Sequence, residues 1–158
     1  MSTVELRPYR AGDEGQILAL ILGIQNDEFG VPITAADQPD LAQIAAFYRA
    51  FWVAASGDRI VGTIGLVDCG DGVGAIRKMF VPADHRGRTH AIAARLLAAL
   101  LDEARRLSLR VLYLGTIDRY QAALRFYEKH GFTAIPPEQL PPQFPRMPVD
   151  NRFYTRTL

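Results

Sequence analysis

The stretch VPADHRGRTHAIAARLL, Val81 to Leu97, decides how this chain is read. It opens on a β-branched residue and a proline, a combination that ends a strand. It then places His85, Arg86 and Arg88 around a single glycine, Gly87, and runs into an alanine- and leucine-rich helical pattern. A helix that begins directly after a strand exposes unpaired backbone N–H groups, and its dipole favours negative charge there. Arg86 and Arg88 add charge-assisted donors suited to phosphate oxygens. Gly87 allows a tight turn or a close ligand approach, and Ala91 and Ala93 leave the helix start uncrowded. The loop therefore suits a phosphate or pyrophosphate, although taken alone it equally suits a solvated basic turn. It is neither GxxxxGK[ST] nor GxGxxG, the two common phosphate-binding patterns.

Working outward, the residues before the loop read as an antiparallel meander. FWVAA joins RIVGTIGLVD through SGD, and CGDG turns the chain into VGAIRKMFV, Val73 to Val81. After the loop, a helix is expected over about Thr89 to Leu107, with Ile92, Leu96, Leu97, Leu100, Ala104 and Leu107 on one face. RVLYLGT is apolar enough for a central strand. RYQAALRFYEKHG is a last helix stopped at Gly131, and FTAI is a further strand. The strand at Val73–Val81, the crossover helix and the strand at Val111–Gly115 make one β-α-β unit, whose strands run parallel. At the other end, TVELRP is a first strand, and AGDEGQILALILGIQ is a helix with Asp13 as its expected cap. NDEFGVPITAADQP is a long connection to a second helix, about Asp40 to Arg49. PPEQLPPQFPRMPVD holds too many prolines for helix or sheet interior, and NRFYTRTL closes the chain as a strand. No repeat or boundary interrupts the order, so residues 1–158 read as one domain of the mixed α/β (α+β) class.

Composition removes several functions. Hydrophobic residues make up 49% and charged residues 22%, so a packed globule is expected rather than disorder. A net charge of +1 gives no support to a nucleic-acid or membrane partner. The lone Cys69 cannot form an internal disulfide, which fits a reducing cytoplasm, and three scattered histidines have no zinc spacing, so no metal is expected. The N-terminus MSTVELRPYR has no apolar signal run.

The second informative stretch is AALRFYEKHGF, Ala122 to Phe132. Adjacent Phe126 and Tyr127 point in different directions from a helix. Phe126 suits the core, and Tyr127 suits either a structural rim position or a cleft, where its hydroxyl could donate a proton. Taken together, V-P-x-x-x-R-G-R, an apolar helix, L-Y-L-G-T and A-x-x-F-Y-E-K-H-G-F resemble the GNAT N-acetyltransferase superfamily. The resemblance is strongest over residues 73–132. EFGVPIT, QPDL and the tail LPPQFPRMPVD are similar to a bacterial subgroup whose substrate is undefined.

The resemblance implies a mostly antiparallel twisted sheet of about seven strands with a central splayed parallel pair, flanked by about four helices. It implies acetyl-CoA as co-substrate and a small-molecule or peptide amine as acceptor, with a homodimer common in the family. Arg86, Gly87, Arg88, Thr89, His90 and Ala91 would hold the pyrophosphate. The strand end Met79, Phe80 and Val81 would pair with the pantetheine arm, the thioester would lie beside Gly115 and Thr116, and Ala123 would let the helix approach the cofactor. Tyr127 would protonate the departing thiolate. A catalytically weak acyl-CoA-binding sensor is the alternative.

Three positions depart from the family pattern. Thr89 stands where R/Q-x-x-G-x-G/A has its middle glycine, and Tyr120 stands where an asparagine is frequent. GAIRKMF carries no acid where many members place a base, which leaves a water chain, Glu28, Asp68 or an already neutral amine. Arg77 and Lys78 alternate, so one of them faces the cleft. Either it snorkels to solvent, or Lys78 binds an acceptor carboxylate. Phe29, with Val31 and Ile33, forms either an acceptor-site lid or a staple to the core.

Overall fold

The computed structural model describes residues 3–158. The chain runs β1 (Val4–Pro8), α1 (Glu14–Leu22), a π-helical turn (Gly23–Glu28), a 3-10 turn (Pro39–Ala42) and α2 (Ile44–Phe47). β2 (Ala50–Ser56), β3 (Arg59–Gly70) and β4 (Val73–Phe80) follow, then a 3-10 turn (Ala83–His85) and α3 (Ile92–Arg106). β5 (Val111–Thr116), α4 (Gln121–Lys129), β6 (Thr133–Ile135), a 3-10 turn (Pro137–Gln139) and β7 (Arg152–Thr157) complete it. The seven strands form one sheet in the order β1-β2-β3-β4-β5-β7-β6. Every neighbouring pair is antiparallel except β4–β5, which is parallel. The mixed sheet with a central parallel pair is as expected from the sequence.

Period-2 patterning builds both faces. On β2, Phe51 and Val53 pack with Ile17 and Ile21 of α1, while Ala54 packs on the opposite face with Leu96 and Leu100 of α3. The broad apolar stripe of α3 lies close on the sheet because Gly62 offers no side chain: a Cβ there would sit 2.7 Å from Ile92 Cγ2. Toward the other edge, no helix among the described residues covers the α1-side face. The proline-rich segment takes that place, burying Phe144 against Ala75 and Phe153.

Three local expectations differ. Asp13 does not cap α1, because its carboxylate is taken by Arg7 (2.8 and 2.9 Å) and the Arg10 N–H (3.0 Å). The expected helix over 40–49 breaks into the 3-10 turn and the short α2, since Gln43 between them has an extended φ of −138°. α3 begins at Ile92 instead of Thr89, because Gly87 (φ +103°) and Ala91 (φ +48°) both turn through the left-handed region before the helix winds.

β4 and β5 separate. Their pairing ends at Ile76↔Leu114, so from Arg77 onward β4 has no strand beside its β5-facing edge. Two features cause this. β5 follows β7, pairing through Thr116↔Arg152. β4 carries a bulge, with three steps from Arg77 to Phe80 opposite two from Gly65 to Thr63, and Lys78 inside it at φ +57°. The Thr63 hydroxyl holds the bulge by donating to the Lys78 carbonyl at 2.7 Å.

Candidate active site

The gap between β4 and β5 opens into a cavity of about 420 Å³. Its walls are the free edge of β4, the end of β5, the start of α3, α4, and the loop that follows Phe144. At one end lies the basic loop. Arg86, Gly87, Arg88 and Ala91 line the cavity there, whereas Thr89 and His90 do not. Thr89 keeps an ordinary negative φ, and the left-handed residues of the loop are Gly87 and Ala91. A Cβ at Gly87 would meet nothing within 4 Å, which leaves an open approach to the loop backbone. Arg86 is fixed in place: its Nε donates to the Val81 carbonyl at 2.7 Å, and its guanidinium pairs with Glu28, Nη2 to Oε1 at 2.7 Å. Glu28 therefore stands beside the basic loop and is absent from the cavity wall.

Met79, Phe80, Val81, Thr116 and Ala123 all line the cavity. So does Tyr127, which is only 5% exposed. Burial, and the nearby Asp150 charge, push the Tyr127 phenol upward, so it keeps its proton at neutral pH. Tyr120 packs edge-on between Phe29 (4.8 Å between ring centres) and Phe80 (6.2 Å). Its hydroxyl is buried without a hydrogen-bond partner among the described residues, and burial raises it to about 12. Val31 and Ile33 are buried against Ile117 and staple their loop to the core, while Phe29 reaches the cavity.

The opposite end is polar and buried. Both Arg77 and Lys78 line it, because the bulge breaks the strand's alternation. Lys78 is 7% exposed. Its Nζ donates to Gln38 Oε1 at 2.5 Å and lies 3.5 Å from Met147 Sδ, with no carboxylate within ion-pair distance among the described residues. Burial pulls it down to about 8, opposed by Asp40. Gln25, from the π-helical turn, and Gln38 exchange amide hydrogen bonds of 3.0 and 2.9 Å beneath it, and Asp40 accepts from the Tyr48 hydroxyl at 2.5 Å.

Asp150 was not singled out by the sequence. It lies in the proline-rich segment, two residues before β7, and lines the cavity. Burial pushes it up to about 6, against the lowering effect of Arg77 and Lys78. The one signal in the sequence is an acidic residue directly ahead of the strand that pairs with β5. Asp68, named from the sequence as a possible base, is exposed at the far end of β3 and accepts from the Gly70 N–H.

The sequence pattern of the acetyltransferase (GNAT) family matches residues 11–132. Among solved structures, an acetyltransferase of the GNAT family from Staphylococcus aureus Mu50 is 36% identical, covering 99% of this chain and 99% of that one, with a TM-score of 0.95. An acetyltransferase from Streptococcus agalactiae 2603 is 27% identical, covering 98% of each chain, with a TM-score of 0.94. The PaiA N-acetyltransferase from Thermoplasma acidophilum, solved in complex with coenzyme A, shares the fold at 10% identity, 99% coverage of each chain and a TM-score of 0.74. None of the curated proteins matches this chain.

Proposed function

The chain belongs to the GNAT acetyltransferase family, and on that premise we propose that it moves an acetyl group from acetyl-CoA to the primary amine of a small acidic or amino-acid-like molecule. The observation that carries this reading is the cleft itself: a free β4 edge, a buried protonated Tyr127 in the wall, and the Arg86–Ala91 loop at the mouth of α3. Acetyl-CoA supplies the acetyl group as a thioester. The open Gly87 backbone, Arg88 and the first turn of α3 suit its pyrophosphate, and the edge from Arg77 to Phe80 offers backbone groups to the pantetheine amides.

Tyr127 acts as the general acid, giving its proton to the sulfur as the thiolate leaves. Its buried phenol holds that proton firmly until a base as strong as a thiolate develops beside it. Lys78 acts on the acceptor. A buried ammonium without a carboxylate partner is costly to keep, and an acceptor carboxylate would relieve it. Glu28 and Phe29 stand at the rim, Glu28 steadying Arg86 and Phe29 forming apolar wall.

The test is thiol release from acetyl-CoA across a panel of amino acids, dicarboxylic amines and neutral amines. Acidic amines should be turned over in preference to neutral ones. Tyr127→Phe should lower kcat by about 10²-fold or more while coenzyme A binding stays within about threefold. Equal loss of turnover and binding would make Tyr127 structural, and no release with any amine would remove the reading.

A further inference from the structure

The proposed transfer needs a group that takes the proton from the incoming ammonium, and β4 provides no acid for it. We infer that Asp150, carried into the cleft by the proline-rich segment, is the general base that deprotonates the acceptor amine. This rests on the N-acetyl-transfer reading above.

Position is the first support. Among the described residues, Asp150 is the one carboxylate on the cavity wall, which it shares with Tyr127, Lys78 and Thr116. Glu28, Asp40 and Asp68 are committed elsewhere. Glu28 is paired with Arg86, Asp40 receives the Tyr48 hydroxyl, and Asp68 bonds the Gly70 N–H at the surface. The cavity histidines have partners of their own: His85 Nδ1 meets Asp84 at 3.0 Å, and His130 Nδ1 meets the Phe126 carbonyl at 2.9 Å. Among the described residues, Asp150 receives no side-chain hydrogen bond and has no cation within 4 Å.

Placement is the second. The segment is pinned on both sides of Asp150. The Asp150 N–H donates to the Met147 carbonyl at 3.1 Å, the Asn151 N–H to the Thr116 carbonyl at 2.9 Å, and the Asp118 N–H to Asn151 Oδ1 at 2.9 Å. These bonds fix the main chain on both sides of Asp150 against the end of β5, and Gly115 leaves room for its carboxylate. A Cβ on Gly115 would lie 2.5 Å from Asp150 Oδ2 and 3.0 Å from its Cγ. A base must be held within reach of its proton, and this one is held by backbone on two sides.

The charge environment is the third. Burial pushes the carboxyl up, and Arg77 and Lys78 of β4, the Met147 backbone N–H and Arg146 of its own segment pull it back, leaving it at about 6. Tyr127, across the cleft on α4, stays neutral. Asp150 is thus ionised at pH 7 and still basic enough to accept a proton.

The step balances as follows. Asp150 takes one proton from the acceptor ammonium. The freed lone pair forms the C–N bond at the thioester carbon as the C–S bond breaks, and the sulfur takes the Tyr127 proton. The second proton on nitrogen restores the phenol, and Asp150 releases its proton to solvent.

The experiment compares wild type, Asp150→Asn and Gly115→Ala with acetyl-CoA and the best amino acid from the panel, across pH 5–8. Wild-type kcat/KM should fall as pH drops below about 6, where Asp150 becomes protonated, while Lys78 stays charged throughout that limb. Asp150→Asn should lose about 10²-fold or more at pH 7 and show no such limb, with coenzyme A binding within about threefold of wild type. Gly115→Ala retains the carboxylate but displaces it, so it should lose rate in the same way, which keeps the test alive if Asp150→Asn fails to fold. Wild type active with Asp150→Asn within threefold of it, or with the acid limb unchanged, overturns the role of Asp150 alone. Wild type inactive on every amine overturns the transfer reading and this role with it.

Discussion

Lys78 is held in two unfavourable states at once. Its φ of +57° places a side-chain-bearing residue in the left-handed region, at a cost on the order of 1–3 kcal/mol, and its ammonium is buried with no carboxylate in ion-pair contact among the described residues. The folded pKa of about 8 lies below the ordinary value, so the folded state resists the charged form. The resulting loss of stability is fully present below pH 8 and fades as pH rises toward the unfolded value near 10.4. Lys78→Met should therefore be more stable than wild type by about 1–3 kcal/mol at pH 7, and the gain should shrink by pH 10. Gln38 Oε1 keeps its Gln25 donor in that variant, so no buried acceptor is stranded. The same change should raise KM for acidic amines by about tenfold or more, since a hydrogen bond to a charged group is lost. Denaturant melts at the two pH values and steady-state kinetics check both halves. Strand alternation in the sequence allows one of Arg77 and Lys78 to face the cleft, and the bulge brings both there. A bulge centred on lysine leaves no mark in a hydrophobic pattern, because glycine is the usual flag of a left-handed residue.

Among the elements, α3 is the one whose position sets the mouth of the cleft, and Gly62 sets the position of α3. An added methyl at Gly62 would meet Ile92 Cγ2 at 2.7 Å, Leu96 Cδ1 at 3.1 Å and Ala54 Cβ at 3.2 Å. The helix must lift at its first turn to admit it. Gly62→Ala should lose about 1–3 kcal/mol, read from denaturant midpoints, and should weaken coenzyme A binding in calorimetry because the basic loop rides on that turn. A buried strand glycine distant from the α3 start would show the stability loss without the binding loss. Strands and long helices were legible because their periods are strong: the α3 stripe from Ile92 to Ala104 buries as its spacing predicts. Where the chain is short and turn-rich, propensity failed. Residues 40–49 have helical spacing, yet Pro39 and Gln43 break them into two turns. The start of α3 falls three residues later than its pattern suggests, because Ala91 turns through the left-handed region just ahead of Ile92.

At the scale of the whole molecule, one cleft divides the sheet, and a ligand that bridges its walls should tie the two halves together. Coenzyme A at about 100 times its Kd should stabilise by about 2.7 kcal/mol, a Tm rise of about 5–10 °C for a chain of this size. ATP at the same concentration should give less than half of that, since it has phosphates but no arm to lie along β4. Equal shifts would place the anion loop outside any acyl-CoA function. The β-α-β unit and the tyrosine helix made one end of the cleft legible in the sequence: Arg86, Gly87, Arg88, Ala91 and Tyr127 all line it. At the polar end Lys78 was legible too, but Gln25, Gln38 and Asp150 were not, because they come from separate segments and meet only through the fold. One of those segments is the π-helical turn Gly23–Glu28, where the Phe29 N–H reaches five residues back to the Ile24 carbonyl. In counting terms it is an α-helix with a surplus residue. Excising one position there would let the backbone rewind to an α-helical turn and draw Glu28 out of step with Arg86. The length of the turn, as much as its residue types, therefore sets where Glu28 meets the basic loop and where Phe29 enters the cavity wall.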